Sequence, residues 1–321
     1  FFVSFVPTVT LLALALYALR FCGQGLMGHT AMVTMARYFH AERGKALSVA
    51  ALGFALGFAA FPRIAKELLD AVGWRDAWRL VGGVLAVALV PLVLWLLRGQ
   101  RERHRRQLEK SGVQEGGPPP SPRAARQWTR AEVVRDPRFY LLLPAALAPP
   151  FLMTGLLIHQ RHIIAAKGWS LDWYSTCFIG FGIMQWTSSL FVGALVDRAS
   201  ALRLFPWFLL PFGGSLLVLA TASDPAAALV YLVLAGASVG AVVPVTGAAW
   251  AELYGVAHLG AIRALTSALM VFSTALAPVT MGWLFDAGTT VEALARMCAG
   301  YVALSVGLAA LAARRCVSSR R

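Results

Sequence analysis

Arg37–Pro62 reads RYFHAERGKALSVAALGFALGFAAFP, a short polar segment that leads into an apolar helix ending at proline. Gly53 and Gly57 lie about one turn apart in that helix, and such a small-xxx-small pair predicts close packing against another helix. The layout returns once in the second half at one constant offset: Tyr38, Gly44 and Pro62 correspond to Tyr254, Gly260 and Pro278. This duplication predicts a membrane protein built from two parallel halves.

The composition is strongly apolar. Of 321 residues, 58% are hydrophobic and 14% are charged, and the mean hydropathy is +0.66. A soluble domain carries roughly 25% charged residues. Apolar blocks of about 20 residues are separated by short charged loops, as in transmembrane helices, and blocks such as Val81–Leu97 lack the alternating polarity of a membrane β-barrel. We therefore predict an all-α polytopic membrane protein.

Positive charge is concentrated in one segment. The net charge is +14, and eleven of the 29 Lys and Arg residues lie between Arg98 and Arg138, with four more in the C-terminal tail. Cytoplasmic loops of membrane proteins carry such an excess, so we interpret it as membrane topology near anionic lipid rather than nucleic-acid binding. If this segment is cytoplasmic, 21 Lys and Arg residues lie on the cytoplasmic side of the membrane and 7 lie on the opposite side. This distribution predicts a cytoplasmic linker and a cytoplasmic C-terminus.

The apolar blocks predict nine complete membrane helices. Their predicted bounds are Thr8–Tyr38, Ala46–Phe61, Ala77–Leu97, Arg138–Ile158, Trp173–Val196, Leu204–Thr221, Ala226–Ala251, Ile262–Leu284 and Val291–Ala313. The charged segment Lys66–Arg75 is predicted to be a loop. Pro144, Pro149 and Pro150 predict a kink or a break in the fourth of these helices.

The basic segment, which contains the run GGPPPSP, divides the chain into two bundles. The predicted domains are the remainder of an N-terminal bundle (1–97), the linker (98–136), a six-helix C-terminal bundle (137–313) and a basic tail (314–321). Six helices after the linker suggest six before it, so we expect about three helices upstream of Phe1, which lacks an initiator Met. On this interpretation the given chain is N-terminally truncated.

The sequence carries no pattern typical of an enzyme or a cofactor protein. It has no Gly-rich phosphate loop ending in Lys-Ser or Lys-Thr, and no Ser, His and Asp set that converges on one face. The four cysteines, Cys22, Cys177, Cys298 and Cys316, show neither paired nor metal-ligand spacing. We therefore expect no enzymatic activity, no cofactor and no metal.

Four short motifs occur in order along the chain: RFCGQG at residues 20–25, RGKA at 43–46, GWR at 73–75 and GALVDR at 193–198. Together with the basic central linker, they resemble the major facilitator superfamily from its third to its twelfth transmembrane helix. The resemblance implies a two-bundle fold and transport of a small solute.

The chain departs from the family pattern at two places. Ser200 stands where the cytoplasmic-loop motif has Gly, and Phe58 follows Gly57 where the drug–proton antiporter motif needs Pro. The second departure argues against a multidrug antiporter. Residues 37–62 look most like the branch of oxalate/formate and monocarboxylate carriers, although the helices predicted at 173–196 and 262–284 lack the mid-membrane Lys or Arg of that branch.

Arg20, Gln24, His159 and Gln185 are the candidate substrate contacts. A charge at the bilayer centre costs about 2.5–3.5 kcal/mol on insertion scales, so Arg20 is expected to face a cavity or a polar partner. Gln24 lies at i+4 on the same helix face. Histidine changes charge near neutral pH, which makes His159 the proton-coupling candidate, and Gln185 is a mid-helix amide that needs a partner. The alternative for each is a structural role, with His159 as an interfacial cap.

The resemblance also implies a conformational latch on the cytoplasmic side. Asp197 and Arg198 would pair with a basic residue or a helix end in one state only, and Glu42 and Arg43 would do the same on the first bundle. A solvated turn is the alternative. Glu252, at the end of the seventh predicted helix, is interpreted as an interface anchor.

The expected function is secondary active transport of a small solute by alternating access, with a monocarboxylate or another organic anion favoured. The alternative is a transport-incompetent fragment or a non-transporting membrane partner protein, because the missing first helix would line the cavity. We expect a monomer in the bacterial inner membrane whose partners are lipid and a small solute, and no nucleic acid.

Overall fold

The computed structural model describes residues 2–19, 22–23, 43–96, 127–255 and 257–318, and in these ranges the secondary structure is helical. The α-helices are α1 (Val9–Leu19), α2 (Arg43–Val84), α3 (Val90–Leu96), α4 (Arg130–Val134), α5 (Pro137–Ile158), α6 (Gln160–Lys167), α7 (Leu171–Arg198), α8 (Ala201–Leu204), α9 (Leu210–Thr221), α10 (Pro225–Tyr254), α11 (Leu259–Asp286) and α12 (Val291–Ser318). Short 3₁₀ turns occupy Phe2–Phe5 and Trp207–Leu209, and a π-helical turn, Leu85–Leu89, joins α2 to α3.

Six segments of the described chain are long and apolar enough to cross a membrane. They are Ala55–Trp95, Pro137–Ile158, Leu171–Val196, Pro225–Tyr254, Leu259–Asp286 and Val291–Arg314, and Val9–Leu19 and Trp207–Thr221 are shorter apolar helices. The prediction of an all-helical membrane protein is confirmed. The count of nine complete membrane helices stays a prediction, because the first predicted helix is described only in part.

The segment Lys66–Arg75, predicted to be a loop, is helical up to Gly73, where two helical segments of α2 meet at a kink. Pro62 also lies inside α2, and the one residue with non-helical backbone angles is Gly73, at φ 74° and ψ 170°. The segment is rich in Ala, Lys, Glu and Leu, which favour helix, and Lys66 pairs with Asp70 across one turn at 3.0 Å. The prediction of a loop is therefore wrong for residues 66–72, whereas the break between the two apolar spans occurs inside the predicted loop, at Gly73.

Three helices in the second half of the chain begin directly after a residue whose side chain caps the helix. The side chains of Asp136, Ser170 and Asp224 accept hydrogen bonds from backbone N–H groups in the first turns of α5, α7 and α10. Such caps satisfy donors that have no partner within the helix. The predicted bounds of these helices therefore lie close to the observed ones.

Helix α5 is unbroken although it contains three prolines. Each proline lacks an N–H and leaves a carbonyl one turn earlier without its usual helical partner. Helices α11 and α12 pack against α5, and the Tyr301 hydroxyl of α12 donates to the Pro144 carbonyl at 3.1 Å. In membrane proteins such neighbouring helices support a helix that contains proline. The predicted break in α5 does not occur, and the alternative of a kink stays a prediction.

The chain forms two compact units, Phe1–Tyr38 with Ile64–Ala124 and Phe39–Arg63 with Ala125–Arg321. In the first unit, the Arg79 guanidinium lies 4.8 Å from the centre of the Phe5 ring and pairs with Asp76 at 2.7 Å. The predicted division at the linker differs from this clustering, because residues 39–63 group with the second half. The predicted two-bundle organisation stays a prediction.

The second unit is built around α10. Its closest neighbour is α7, and glycines allow the approach: a Cβ on Gly236 would lie 2.5 Å from the Phe181 carbonyl oxygen, and a Cβ on Gly240 would overlap the carbonyl oxygen of Gln185. The Ser188 hydroxyl of α7 donates to the Ala237 carbonyl of α10 at 2.6 Å. The two backbones are therefore in direct contact along this pair of helices.

A buried ion pair joins α6 to α12. The Lys167 ammonium at the end of α6 lies 2.7 Å from Glu292 Oε1 in the first turn of α12, and the Lys167 side chain is 1% exposed against 36% for Glu292. Two residues later, the Trp169 indole N–H is shared between the carbonyls of Ser223 and Asp224, at 2.8 and 3.1 Å. This end of the second unit is held by polar contacts between loops.

At the other end of α10, the last linker residues are attached to the turn before α11. The Trp128 N–H donates to the Tyr254 carbonyl at 3.0 Å, and the Ala257 N–H donates to Gln127 Oε1 at 3.0 Å. The Trp128 and Tyr254 rings pack edge to face with centroids 5.5 Å apart. A capping box between Thr129 and Glu132 then starts α4.

Candidate functional site

Several predicted site residues fall outside what the structure describes. Arg20, Gln24 and Glu42 lie outside the described residues. Arg43 is the first residue of α2 and Asp197 the penultimate residue of α7, and their side chains are not among those described. Their roles in binding and in the latch stay predictions.

Gln185 lies at the centre of α7, on the face that meets α10. Its backbone is in contact with Gly240, and its side-chain Oε1 is buried with no hydrogen-bond partner among the described residues. A buried acceptor without a partner costs about 1–3 kcal/mol. Rotation of the amide would present the Nε2 donors at the same place, so this side chain can offer either half of a hydrogen bond to a bound molecule.

His159 joins α5 to α6. Its Nδ1 lies 2.9 Å from the Gly155 carbonyl oxygen, and the carbonyl requires the ring nitrogen to be the donor. The other nitrogen, Nε2, faces Gly282 of α11, and the ring packs against Phe285 with centroids 5.3 Å apart. His162 packs against the same Phe285 at 4.4 Å. The half-buried His159 therefore caps the end of α5, and its role in binding or as an interfacial cap stays a prediction.

The structure places His159 and Gln185 against different helices. The contacts of His159 are with α5 and α11, and those of Gln185 are with α10. A shared substrate cavity between them, completed by Arg20 and Gln24, stays a prediction.

Gly53 and Gly57 do not mark the face of α2 that packs in the described structure. A Cβ on either glycine would have no atom within 4 Å. The contact is made on the neighbouring face, where a Cβ on Gly182 of α7 would lie 2.5 Å from the Ala55 carbonyl oxygen. Packing of the two glycines against another helix stays a prediction, because the helix that precedes α2 is described only in part.

Glu252 has a role that the sequence did not reveal. Its carboxylate accepts hydrogen bonds from the Ser200 hydroxyl at 2.6 Å and from the Ala201 N–H at 2.7 Å. These groups lie in the turn directly after the exposed Arg198, the last residue of α7. The end of α10 thereby fixes the segment that carries the predicted latch. A glutamate at a helix end gives no signal of a partner some fifty residues earlier, which is why it was interpreted as an anchor.

The described residues contain no group of three or more His, Cys, Asp or Glu side chains that could hold a metal ion. Some polar side chains of the second unit bond between helices, as Ser188 does with Ala237 and Lys167 with Glu292.

Comparison with known proteins agrees with this architecture. The family model of the Major Facilitator Superfamily matches residues 1–170, just over half of the chain. No curated protein matches the chain. With its apolar helices and this match, the chain belongs to the Major Facilitator Superfamily and is an integral membrane transporter of small-molecule solutes.

Proposed function

We propose that this protein is a secondary active transporter that moves a small organic anion, with monocarboxylates as the first candidates, by alternating access of two helical bundles. The family supports transport of a small solute through the bilayer. The sequence has no phosphate-binding loop of the Lys-Ser or Lys-Thr type, which favours transport without ATP. The transporter acts as a monomer in a bacterial inner membrane, with the basic linker and the C-terminus in the cytoplasm.

The proposal of an anionic solute rests on the charge of Arg20. Arg20 is the single charged residue between Phe1 and Met35. An arginine in such surroundings needs a partner, and a permanent guanidinium binds a carboxylate through two parallel hydrogen bonds. Gln24, four residues later in the sequence, adds an amide. A small carboxylate is the solute that best matches the hydrogen-bonding groups of Arg20 and Gln24.

Gln185 and His159 contribute from the second half of the chain. The Gln185 amide, whose Oε1 is buried, gives the transported acid a neutral hydrogen-bonding partner. His159 is the candidate for proton coupling, with Nε2 facing Gly282 of α11. Asp197 and Arg198, with Glu42 and Arg43, act as the cytoplasmic latch, and the hydrogen bonds of Glu252 to the turn after Arg198 support that assignment.

Substitution of Arg20 by alanine is expected to abolish uptake of the transported acid, because the charge that pairs with the carboxylate is lost. The measurement is uptake of a panel of labelled small carboxylates into proteoliposomes under pH gradients of both signs. Arg314→Ala removes a charge at the end of α12 and serves as the control with near-normal uptake. If the parent protein takes up none of the acids, or if Arg20→Ala transports them normally, the anion proposal fails.

Substitution of Gln185 by leucine is expected to leave the protein as stable as the parent or more stable, while lowering uptake at least about tenfold. Leucine removes a buried acceptor whose desolvation costs about 1–3 kcal/mol. A loss of one good hydrogen bond to the solute of about 1.4 kcal/mol corresponds to tenfold in affinity. Thermal unfolding and uptake are measured on the same preparation. A less stable variant with normal uptake would show that Gln185 is structural.

A further inference from the structure

Helix α4 and the residue that caps its C-terminal end carry a basic face. Arg130, Ala131, Val134 and Arg135 are exposed, and all four have helical backbone angles. At about 100° per residue these positions fall within a sector of about 140°, and the alanine and the valine lie between the two arginines. Val133, on the other side of α4, is fully buried in the core of the second unit. The exposed side of α4 is therefore a small apolar strip flanked by two guanidinium groups.

The length of α5 places this basic face at the level of the lipid headgroups. Pro137–Ile158 is one of the segments that can cross a membrane. Its 22 residues are roughly 33 Å long at about 1.5 Å per residue, close to the hydrocarbon thickness of about 30 Å. Helix α4 ends three residues before this segment. Tyr140, in the first turn of α5, is exposed, and tyrosine is enriched where the hydrocarbon meets the headgroups.

Contacts at both ends hold α4 in this position. Its first turn carries the capping box of Thr129 and Glu132, and the linker residues directly before the box are attached to the turn between α10 and α11. At the other end, the Tyr140 hydroxyl donates to the Val134 carbonyl at 2.8 Å. This bond satisfies a carbonyl that has no partner within the helix. The two arginines therefore extend from a backbone whose position is fixed.

The acidic residues nearest to the two arginines are already engaged. Glu132 Oε2 accepts hydrogen bonds at 2.8 and 2.9 Å within its capping box. Asp136 is 5% exposed, caps α5 and accepts from Arg138 Nε at 3.0 Å. In the part of the chain that the structure describes, no side chain forms an ion pair with the guanidinium of Arg130 or Arg135. Their donors are available to a ligand.

The chemistry of the basic face fits one class of phospholipid. A guanidinium binds a phosphate through two parallel hydrogen bonds, and the apolar strip suits the beginning of an acyl chain. A phosphatidylglycerol headgroup has a net negative charge, whereas a zwitterionic headgroup also brings an ammonium that needs a carboxylate partner. The two nearest carboxylates, Glu132 and Asp136, already have partners. Each basic residue near an anionic membrane surface strengthens binding roughly fivefold.

We propose that Arg130 and Arg135 form a binding site for an anionic phospholipid of the phosphatidylglycerol type. The phosphate lies between the two guanidinium groups, and the acyl chains pass Val134 and Tyr140 into the hydrocarbon. This site differs from a general attraction between the basic linker and the membrane, because two arginines on a fixed helix select one headgroup. It goes beyond the proposed transport function and holds whichever solute the protein carries.

The test locates the lipid on the intact protein. The protein is placed in phosphatidylcholine nanodiscs that contain a small fraction of a photoreactive lipid, either phosphatidylglycerol or phosphatidylethanolamine with the same diazirine-bearing acyl chain. After illumination, mass spectrometry of peptides locates the adducts, normalised to the total labelling of the protein. The expected result is at least about tenfold more adducts in residues 130–140 with phosphatidylglycerol than with phosphatidylethanolamine. Raising the salt should lower this ratio, because salt screens exposed charges.

Matched variants test whether the two arginines make the selection. Arg130→Gln and Arg135→Gln should each lower the ratio about fivefold, and the double variant should bring it to about one. Arg203→Gln is the control, since it removes another exposed arginine at the same end of the second unit. Ser200, three residues before it, is bonded to Glu252 near the end of α10. This variant should keep the ratio of the parent.

The inference is overturned if the parent labels equally with both lipids, or if the double variant keeps the parent's ratio. An equal loss in Arg203→Gln would show a general attraction to the membrane. Suppression of the labelling by millimolar glycerol phosphate would assign the face to a soluble phosphate. These outcomes are independent of the anion proposal, because the adducts form without a transported solute. Thermal unfolding verifies that the compared variants are folded.

Discussion

Replacing Gly240 with alanine is expected to destabilise the second unit by about 2 kcal/mol. The added Cβ would overlap the backbone oxygen of Gln185, which belongs to a helix and cannot rotate away. Overpacking of a core costs about 1–3 kcal/mol, and an unyielding backbone contact puts this case at the upper end. The higher helix propensity of alanine relative to glycine offsets up to about 1 kcal/mol of this cost. The apparent unfolding temperature in detergent should fall by roughly 4–8 °C, measured by size-exclusion chromatography after heating.

Gly300→Ala is the matched control for this substitution. Gly300 lies in α12, is exposed, and a Cβ there would have no atom within 4 Å. The same methyl group adds helix propensity at both sites, so the difference between the variants isolates the contact between α7 and α10. An equal or higher unfolding temperature for Gly240→Ala than for Gly300→Ala would show that these helices are not in direct backbone contact.

Replacing Glu292 with glutamine is expected to cost about 2–3 kcal/mol of unfolding free energy. Lys167 would keep its charge in a site where its side chain is 1% exposed. Removing one partner of a fully buried pair costs about 3–5 kcal/mol, and the partial exposure of Glu292 lowers that figure. Replacing Lys167 with methionine in the same variant should recover most of the loss, because the charge without a partner is then gone.

Asp76→Asn provides the comparison for an exposed pair. It breaks the contact with Arg79, whose two side chains are 43% and 56% exposed, and should cost at most about 1 kcal/mol. Both unfolding free energies are measured by denaturant titration in the same detergent. Similar losses for Glu292→Gln and Asp76→Asn would mean that water reaches the Lys167 ammonium.

The class of fold and the family were accessible from sequence because both depend on local signals. Runs of apolar residues predict membrane helices, and caps such as Asp136 and Ser170 mark where they begin. The error at Lys66–Arg75 has a clear cause. Charge density indicates where a chain leaves the membrane, whereas helix propensity and the Lys66–Asp70 pair keep residues 66–72 helical as far as the kink at Gly73.

The candidate site was less predictable because it depends on contacts between distant residues. Single residues such as Gln185 stand out as polar groups in apolar helices, and the structure finds its oxygen buried. The partners of Glu252 and of Trp169 lie 51 to 55 residues away in sequence. No periodicity or motif connects such pairs, and packing of the helices alone brings them together. Whether Arg20 and Gln185 serve one solute stays a prediction for the uptake measurements.

The attachment of Gln127 and Trp128 to the turn before α11 has a practical consequence for expressing the protein as two separate chains. A C-terminal chain that starts upstream of Gln127 keeps both hydrogen bonds to the Tyr254–Ala257 turn. One that starts at Pro137 loses them, together with the packing of Trp128 on Tyr254. A co-expressed pair divided before Gln127 should therefore assemble, whereas a division after Thr129 should leave the C-terminal half prone to aggregation.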